Sequence, residues 1–283
     1  MPPKTTTRTD WHEAIFCAVQ IDLKEYSHLL EYYKEKSLSA NNNRMDMLII
    51  KKQSGFQISK HIAFIFRAHN IFEMKGLSTS LTSDAYHKTN GHAGYYIDLY
   101  PGTNILTRHD ISLTFPTFHY PRKLFKHLTK ECNKTIDNPF PGVYYINEEM
   151  YATQVLVISE LSSEDSMYLH CLKKENISLD LVDTLASDYA LNKNNKLYAS
   201  YMNQFFYSHM KGEQFMVCEG LLNYFGTSSK ELLEQGAQKA QEIYLPQIEQ
   251  LTSEKNLLTS EKNLLVSENY KLKQLLAQNN IAY

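Results

Sequence analysis

Three charged residues interrupt two apolar segments in the first third of the chain. Asp46 lies within RMDMLIIKK, and Glu73 and Lys75 lie within NIFEMKG. Successive side chains of a strand point to opposite faces, so we expect Glu73 and Lys75 to share one face and Phe72 and Met74 to share the other. If the two segments pair as strands, Asp46 can lie beside Glu73.

A carboxylate pair followed by a lysine is suited to phosphate chemistry. Two neighbouring carboxylates repel each other unless a cation lies between them. Mg²⁺ prefers oxygen ligands and keeps several of its waters. A lysine two residues further on could position an attacking water or offset charge that develops on a phosphate. The alternative is an ordinary Glu–Lys pair at a half-buried strand edge, which contributes little to stability.

The pattern along the chain predicts an α/β fold with a mixed central sheet flanked by helices. Apolar residues at helical spacing predict a first helix over about 11–30 with Asp10 as its N-cap, and HLLEYYKEKSL either closes this helix or opens a strand. RMDMLIIKK and NIFEMKG follow as strands, the second ending at its glycine. A second helix is expected from Ser83 through Tyr96, and a third after Pro121. DISLTFPTF, GVYYIN and TQVLVIS are typical of further strands.

This order of elements resembles the restriction-endonuclease-like core of the PD-(D/E)XK nuclease superfamily. More narrowly, WHEAIF, RMDMLIIKK, IFRAHNIFEMKG, YHKTNGHAGYY and FHYPRKLFKHL together resemble the recombination-promoting nuclease (Rpn)/transposase-like proteins. The similarity covers about residues 10–160. It implies a Mg²⁺-dependent nuclease, with Mn²⁺ as a substitute, that hydrolyses phosphodiester bonds in DNA and takes part in DNA recombination.

The resemblance also implies roles for particular residues. Asp46 and Glu73 correspond to the metal-binding carboxylates, and Lys75 corresponds to the catalytic lysine. The backbone carbonyl of Met74 is implied as a further metal ligand. Met45 stands where the superfamily motif has proline, which makes the match less specific.

Members of the superfamily often add a carboxylate from the first helix. Glu13, Glu25 and Glu31 compete for this role, with Glu13 near the helix start and Glu31 near the proposed sheet. For each of them a surface charge is the favoured interpretation over a metal ligand.

Basic residues near the proposed site are candidates for contacts with phosphate. The segment from Lys34 to Lys75 carries eight lysines and arginines and three acids, and the segment from His119 to Lys130 carries four cations and no acid. Candidate phosphate contacts are Arg44, His119 and Arg122. The net charge of −2 nevertheless excludes a strongly basic protein that coats nucleic acid.

The C-terminal segment contains the clearest repeat. LTSEKNL occurs twice, and leucine recurs every seven residues at Leu251, Leu258, Leu265 and Leu272. A 3.5-residue period predicts a coiled coil, and polar residues at the second seam position favour a low-order oligomer, a homodimer first. The predicted organisation is a disordered lead-in (1–9), a nuclease-like domain (10–160), a helical extension (161–240) and a coiled coil (241–283). The alternative function is an inactive nuclease fold that acts as a coiled-coil scaffold.

Composition limits the cellular setting. No apolar run reaches the ~18 residues that a membrane helix requires, and the first ten residues lack the apolar core of a secretion signal. The four cysteines are far apart and contain no CxxC pair, so we expect buried thiols and neither a zinc site nor a disulfide framework. We therefore expect a cytoplasmic protein without a membrane anchor.

Overall fold

The computed structural model describes residues 10–38, 44–53, 55–100, 105–173 and 177–209, with scattered positions between 253 and 276. The chain divides into two compact units, Met1–Tyr224 and Phe225–Tyr283. The first unit contains a sheet and the helices that pack on it.

The described helices and strands follow one another as one helix, three strands, one helix, one strand, one helix, three strands and three helices. The helices are α1 (Trp11–Asp22), α2 (Ser83–Asp98), α3 (Arg122–Lys130), α4 (Met167–His170), α5 (Leu179–Asn192) and α6 (Lys196–His209). The strands are β1 (Leu30–Ser37), β2 (Arg44–Lys51), β3 (His69–Phe72), β4 (Ile111–Thr117), β5 (Ile136–Phe140), β6 (Val143–Ile146) and β7 (Ala152–Val157). Short 3-10 turns lie at Lys24–Leu29, His61–Ala63, Arg108–Asp110 and Ile158–Glu160.

The seven strands form one mixed sheet in the order β1-β2-β3-β4-β7-β6-β5. β1, β2 and β3 form an antiparallel meander, and β3, β4 and β7 run parallel. β6 and β5 return antiparallel beyond β7. This confirms the α/β class and the mixed sheet expected from the sequence.

One large hydrophobic cluster joins the sheet to α2 and α3. Leu113 and Phe115 of β4 lie in it, together with Tyr86 of α2 and Leu124 and Phe125 of α3. Tyr86 and Phe115 pack with ring centroids 5.2 Å apart. Because α3 follows β4 directly, its apolar side is held on the sheet and its basic side faces solvent.

The first helix is shorter than the sequence predicts. α1 begins after its N-cap Asp10, as expected, but ends at Asp22, and β1 begins at Leu30. The ambiguous segment HLLEYYKEKSL therefore opens a strand. The helix ends here because Leu23 leaves the helical conformation and the Asp22 carboxylate binds the backbone of α4, accepting from Tyr168 N and Leu169 N at 2.9 Å each.

Two strands also depart from the expectation. β3 ends at Phe72 and not at the glycine of NIFEMKG. β5 lies in IDNPF, where the sequence analysis predicts no strand, and this segment contains Pro139. A proline removes a ladder donor, and an edge strand tolerates this loss; β5 is the last strand of the sheet.

Two of the described helices after residue 160, α4 and α6, pack on α1. Ser200 of α6 donates a hydrogen bond to Glu13, and Gln204 of α6 accepts one from Asp10 N at 2.8 Å. Tyr201 is fully buried, and its hydroxyl donates to the carbonyl of Tyr168 in α4 at 2.8 Å. α1 is therefore held between the sheet-bearing part of the chain and these later helices.

The described positions between residues 253 and 276 are helical. Leu258 and Leu265 are 67% and 59% exposed in the single chain. Leu251 and Leu272 lie outside the described residues, so the coiled coil stays a prediction. Among the described residues, none of the helices is both long and apolar enough to cross a membrane. Cys17 and Cys171 are buried as expected, whereas Cys132 is only half-buried, and Cys218 lies outside the described residues.

Candidate functional site

Asp46 is a carboxylate held within an otherwise buried strand. Its neighbours in β2, Met45 and Met47, are buried, whereas the Asp46 side chain is 20% exposed. Its Oδ2 accepts a hydrogen bond from the backbone N–H of Met74 at 2.7 Å. This bond joins β2 to the segment that follows β3, so the structure brings Asp46 to the NIFEMKG motif.

Glu73 and Lys75 lie on the same side of the chain just after β3. Lys75 Nζ donates to Glu73 Oε1 at 2.6 Å, and the two side chains are 18% and 14% exposed for Lys75 and Glu73, respectively. Phe72, which precedes Glu73, and Met74, which lies between Glu73 and Lys75, are buried. The alternation expected from the sequence is therefore present in the structure.

Pro116 explains why β3 ends before Glu73. The N–H groups of Glu73 and Lys75 still donate to β4, to the carbonyls of Thr114 at 3.1 Å and Pro116 at 2.9 Å. A regular parallel ladder would also need an N–H from residue 116 to bind the Glu73 carbonyl. Proline has no N–H, so that bond cannot form. The chain stays extended through Lys75, but the regular pairing stops at Phe72.

The site contains two acids that interact with each other. Burial raises the pKa of Asp46, and the negative charge of Glu73 raises it further. His12, the Met74 N–H and Lys75 act in the opposite direction without cancelling the rise. Burial and the charge of Glu73 both disfavour the ionised form of Asp46, and a cation between the two carboxylates would favour it.

Two histidines that the sequence analysis did not single out also lie at this site. His12 Nδ1, in the first turn of α1, lies 3.9 Å from Asp46 Oδ1. His92 of α2 is buried, and burial together with the charge of Lys88 lowers its pKa, although Glu73 acts to raise it. Its Nδ1 is buried and has no hydrogen-bond partner within the described part of the chain. The only signal in the sequence was the position of His12 beside Glu13.

The candidate acids for the first helix are engaged elsewhere. Glu13 binds Lys34 and accepts from Ser200 Oγ at 2.5 Å. Burial acts to raise the pKa of Glu13, but these partners lower it overall. Glu31 lies in β1, not in a helix, and accepts from the Tyr33 hydroxyl at 2.7 Å. Glu25 is an exposed residue of the 3-10 turn.

The three candidate phosphate contacts lie at different places. Arg44 begins β2, two residues before Asp46, and pairs with Glu35 at 3.3 Å. His119 Nε2 lies 3.2 Å from the carbonyl of Leu77, so it touches the segment that leaves the site. Arg122 is the first residue of α3 and is exposed.

Asn70 caps the turn that precedes the rest of β3. Its Oδ1 accepts from Arg67 N at 2.8 Å and from Ser112 Oγ at 2.6 Å, and its Nδ2 donates to the carbonyls of Ile49 and Arg67. Asn70 is fully buried and is saturated with hydrogen bonds. It fixes the entry of β3 next to β2 and β4.

The donor set at Asp46 and Glu73 fits a hard cation that keeps most of its waters. Among the described residues, no group of three or more His, Cys, Asp or Glu side chains is placed to hold one metal ion. Two carboxylates are nevertheless sufficient for Mg²⁺, which is usually held by one or two carboxylates plus waters and substrate phosphates. A fully protein-ligated zinc site, by contrast, requires more ligands than this site offers.

Comparison with known proteins gives no match to this chain: no family model, no curated protein and no solved structure. A function must therefore be proposed from the chemistry of the site.

Proposed function

We propose that this protein is a Mg²⁺-dependent nuclease of the PD-(D/E)XK type, acting on DNA, in the manner of the Rpn/transposase-like proteins. The observation that carries the proposal is the convergence of Asp46, Glu73 and Lys75. Glu73 and Lys75 follow Asp46 by 27 and 29 positions in the chain. The Met74 N–H between them nevertheless binds Asp46, and Lys75 binds Glu73. A partly buried acid whose pKa is raised by burial and by a second acid is typical of functional sites, which supports the proposal.

The order of elements supports the same proposal. The resemblance implies a helix, a strand carrying the aspartate, a strand carrying ExK, a helix and then a strand. The chain has α1, then β1, β2 and β3 as a meander, then α2, then β4 parallel to β3. Asp46 lies on β2 and the ExK residues directly follow β3, which agrees with this order except that the motif lies beyond the regular strand.

Each residue has a defined role in this proposal. Asp46 and Glu73 would hold Mg²⁺, and the Met74 carbonyl stays a predicted third ligand. The bound ion would activate water and neutralise charge on the phosphate. Lys75, which binds Glu73 in the described structure, would turn its ammonium toward the water or the phosphate and so orient the nucleophile or offset charge. His12 would hold Asp46 in place and add positive charge at the edge of the site.

The surface of α3 supports nucleic acid as the substrate. Four cations lie on the exposed side of this helix: Arg122, Lys123, Lys126 and Lys130. The contact between His119 and Leu77 joins the start of this helix to the segment after Lys75. A row of cations beside the acids would hold the phosphate backbone, as in other polyanion-binding surfaces.

The test is Mg²⁺- or Mn²⁺-dependent nicking of supercoiled plasmid by the full-length chain. We expect Asp46→Ala and Lys75→Ala each to lower the rate by about 100-fold or more, because each removes charge stabilisation at the reacting phosphate. Asp183→Ala and Lys196→Ala, which change exposed residues of α5 and α6, are matched controls and should leave the rate unchanged. Equal rates in wild type, Asp46→Ala and Lys75→Ala would refute the proposal.

A second candidate is a catalytically inactive nuclease fold that serves as a scaffold through a C-terminal coiled coil. The ion pair between Lys75 and Glu73 favours it, because each group is satisfied without a metal. In that case no nicking is expected with either metal, while the chain still forms dimers. Dimerisation through residues 241–283 is part of both proposals.

A further inference from the structure

A cleft of about 700 Å³ lies at the opposite end of the central strands from Asp46 and Glu73. Ile111, Ala152 and Thr153 line it, and these residues begin β4 and β7. β3, β4 and β7 are parallel, so the cleft lies where these strands begin, whereas Glu73 follows the end of β3. The volume falls in the range of ~300–1,000 Å³ that is typical of small-molecule sites.

Two arginines and a histidine lie on one side of this cleft. Arg67, Arg108 and His109 line it, and all three are exposed. Within the part of the chain that the structure describes, neither arginine forms an ion pair with a carboxylate. Arg108 Nε lies 3.4 Å from His109 Nε2, so the two side chains are held near each other. An anion with several oxygens would match these donors.

The two acids of the cleft do not compete for the arginines. The carboxylate of Glu148 accepts from Thr135 N at 2.8 Å and Thr135 Oγ1 at 3.1 Å. Glu149 is 11% exposed and pairs with Lys134 at 3.5 Å. Both carboxylates are therefore turned toward partners on the segment before β5, and the arginines face the cleft without them.

A second cleft of about 490 Å³ adjoins the first and shares Phe64, Arg67 and His109 with it. It adds Lys51, whose ammonium lies 4.4 Å from the centre of the Phe56 ring and donates to the Phe56 carbonyl at 2.6 Å. Burial lowers the pKa of Lys51, and the positive charge of Arg67 lowers it further. Cations are thus close enough here to repel each other, a cost that a bound anion would remove.

The cleft also offers flat apolar surface. The Phe64 side chain is 42% exposed although it lies against Phe140, with ring centroids 5.9 Å apart. Met150 is 60% exposed on the same cleft, and Tyr145 contributes a further ring. Aromatic rings of this kind stack on planar ligands, and bases are planar.

We propose that this cleft binds a nucleoside phosphate, with Arg67 and Arg108 at the phosphate and Phe64 against the base. A site of this kind is separate from the nuclease site and does not depend on cleavage. Through this cleft the protein would respond to the concentration of a free nucleotide that binds at the opposite end of the strands from Asp46 and Glu73.

Isothermal titration of the full-length protein with AMP, in EDTA, tests this site without metal-dependent chemistry. We expect a dissociation constant below about 1 mM. Arg108→Gln and Arg67→Gln should each weaken AMP binding by about tenfold, because each removes charge-assisted hydrogen bonds. Phe64→Ala should weaken AMP binding by about three- to tenfold and leave the binding of inorganic phosphate unchanged. The control Lys196→Gln removes an exposed cation outside the cleft and should have no effect.

Three results would overturn the proposal. The first is the absence of heat with millimolar AMP. The second is AMP binding that neither Arg67→Gln nor Arg108→Gln weakens. Loss of AMP binding in Lys75→Ala would equally overturn the proposal, since it would place the nucleotide beside Glu73 at the other end of the strands. The third is equal affinity for AMP and inorganic phosphate with no effect of Phe64→Ala, which would leave a simple anion site. Retained binding in Lys75→Ala together with lost plasmid nicking separates this proposal from the nuclease proposal.

Discussion

Asp22 is a buried carboxylate whose ionisation should make the stability of this protein depend on pH. It ends α1 and accepts hydrogen bonds from the backbone N–H groups of Tyr168 and Leu169 at the start of α4. Burial raises the pKa of Asp22 to about 7 from its ordinary value of 3.8, and the two N–H donors only partly offset this rise. The folded protein therefore holds a proton on Asp22 over a pH range in which the unfolded chain has lost it.

The sign and size of the effect follow from linkage. Between pH 3.8 and about 7 the folded state binds more protons at Asp22 than the unfolded state, so the free energy of unfolding falls as the pH rises through this window. The contribution is fully present below the unfolded pKa and is lost above the folded one. Each pH unit of difference corresponds to about 1.4 kcal/mol, so the total is about 4 kcal/mol.

The assay is urea unfolding of wild type and Asp22→Asn at pH values from 4 to 8. The asparagine keeps one acceptor oxygen and presents an NH₂ group to the other N–H, so it costs about 1–3 kcal/mol at every pH. The difference between wild type and variant should therefore move in favour of Asp22→Asn by up to about 4 kcal/mol as the pH rises. Asp183→Asn, an exposed change in α5, controls for the loss of one charge and should show no such trend. A wild type and an Asp22→Asn variant whose stabilities stay parallel from pH 4 to 8 would refute the reasoning.

Three further predictions concern glycines and assembly. Gly142 has a φ of +71° and an added Cβ would lie 2.6 Å from a backbone nitrogen, so Gly142→Ala should lower the free energy of unfolding by about 2 kcal/mol or more. Gly91 lies in open space on α2, so Gly91→Ala should raise the free energy of unfolding by about 0.5–1 kcal/mol. Equal melting temperatures of the two variants would contradict this. An added Cβ at Gly76 would lie 2.9 Å from Cδ1 of Trp11, so Gly76→Ala should displace the only tryptophan of the chain; an unchanged emission spectrum and nicking rate would argue against it. Truncation before Leu245 should convert a dimer to a monomer in sedimentation velocity at micromolar concentration, and a monomeric full-length chain or a dimeric truncation would exclude the coiled-coil dimer.

The sequence predicted the elements whose signal is local. α2 has a clear N-terminal signal in TSD and an unbroken helical pattern, and it was found at Ser83–Asp98 with Thr82 as its N-cap. β2 and β4 are short runs of strand formers between polar segments and were also found. The end of α1 could not be predicted in the same way, because Asp22 binds residues 146 and 147 positions away. A local pattern carries no information about such a partner.

The candidate site shows the same division. Glu73 and Lys75 share a side because side chains two positions apart in an extended chain point the same way, which is a local property. The approach of Asp46 to Met74 required a correct pairing of two strands, and the sequence could state it only as a condition. His12 and His92 reach the site from two helices, and their positions depend on how α1 and α2 pack. Nothing in the spacing of either histidine distinguishes it from the other nine in the chain.

The end of β3 connects the fold to the chemistry of the site. Pro116 stops the regular pairing at Phe72, yet the Lys75 N–H still binds the Pro116 carbonyl, so the chain carries Glu73 and Lys75 forward on an extended backbone with one ladder bond missing. A fully paired strand would bind the Glu73 carbonyl; here that oxygen is free of a ladder donor. Trp11 then closes over Gly76, one residue beyond Lys75, and so fixes the start of α1, with His12, against the same segment. Pro116 and Gly76 therefore set the geometry of the acids, although neither has a side chain that could act in the proposed hydrolysis.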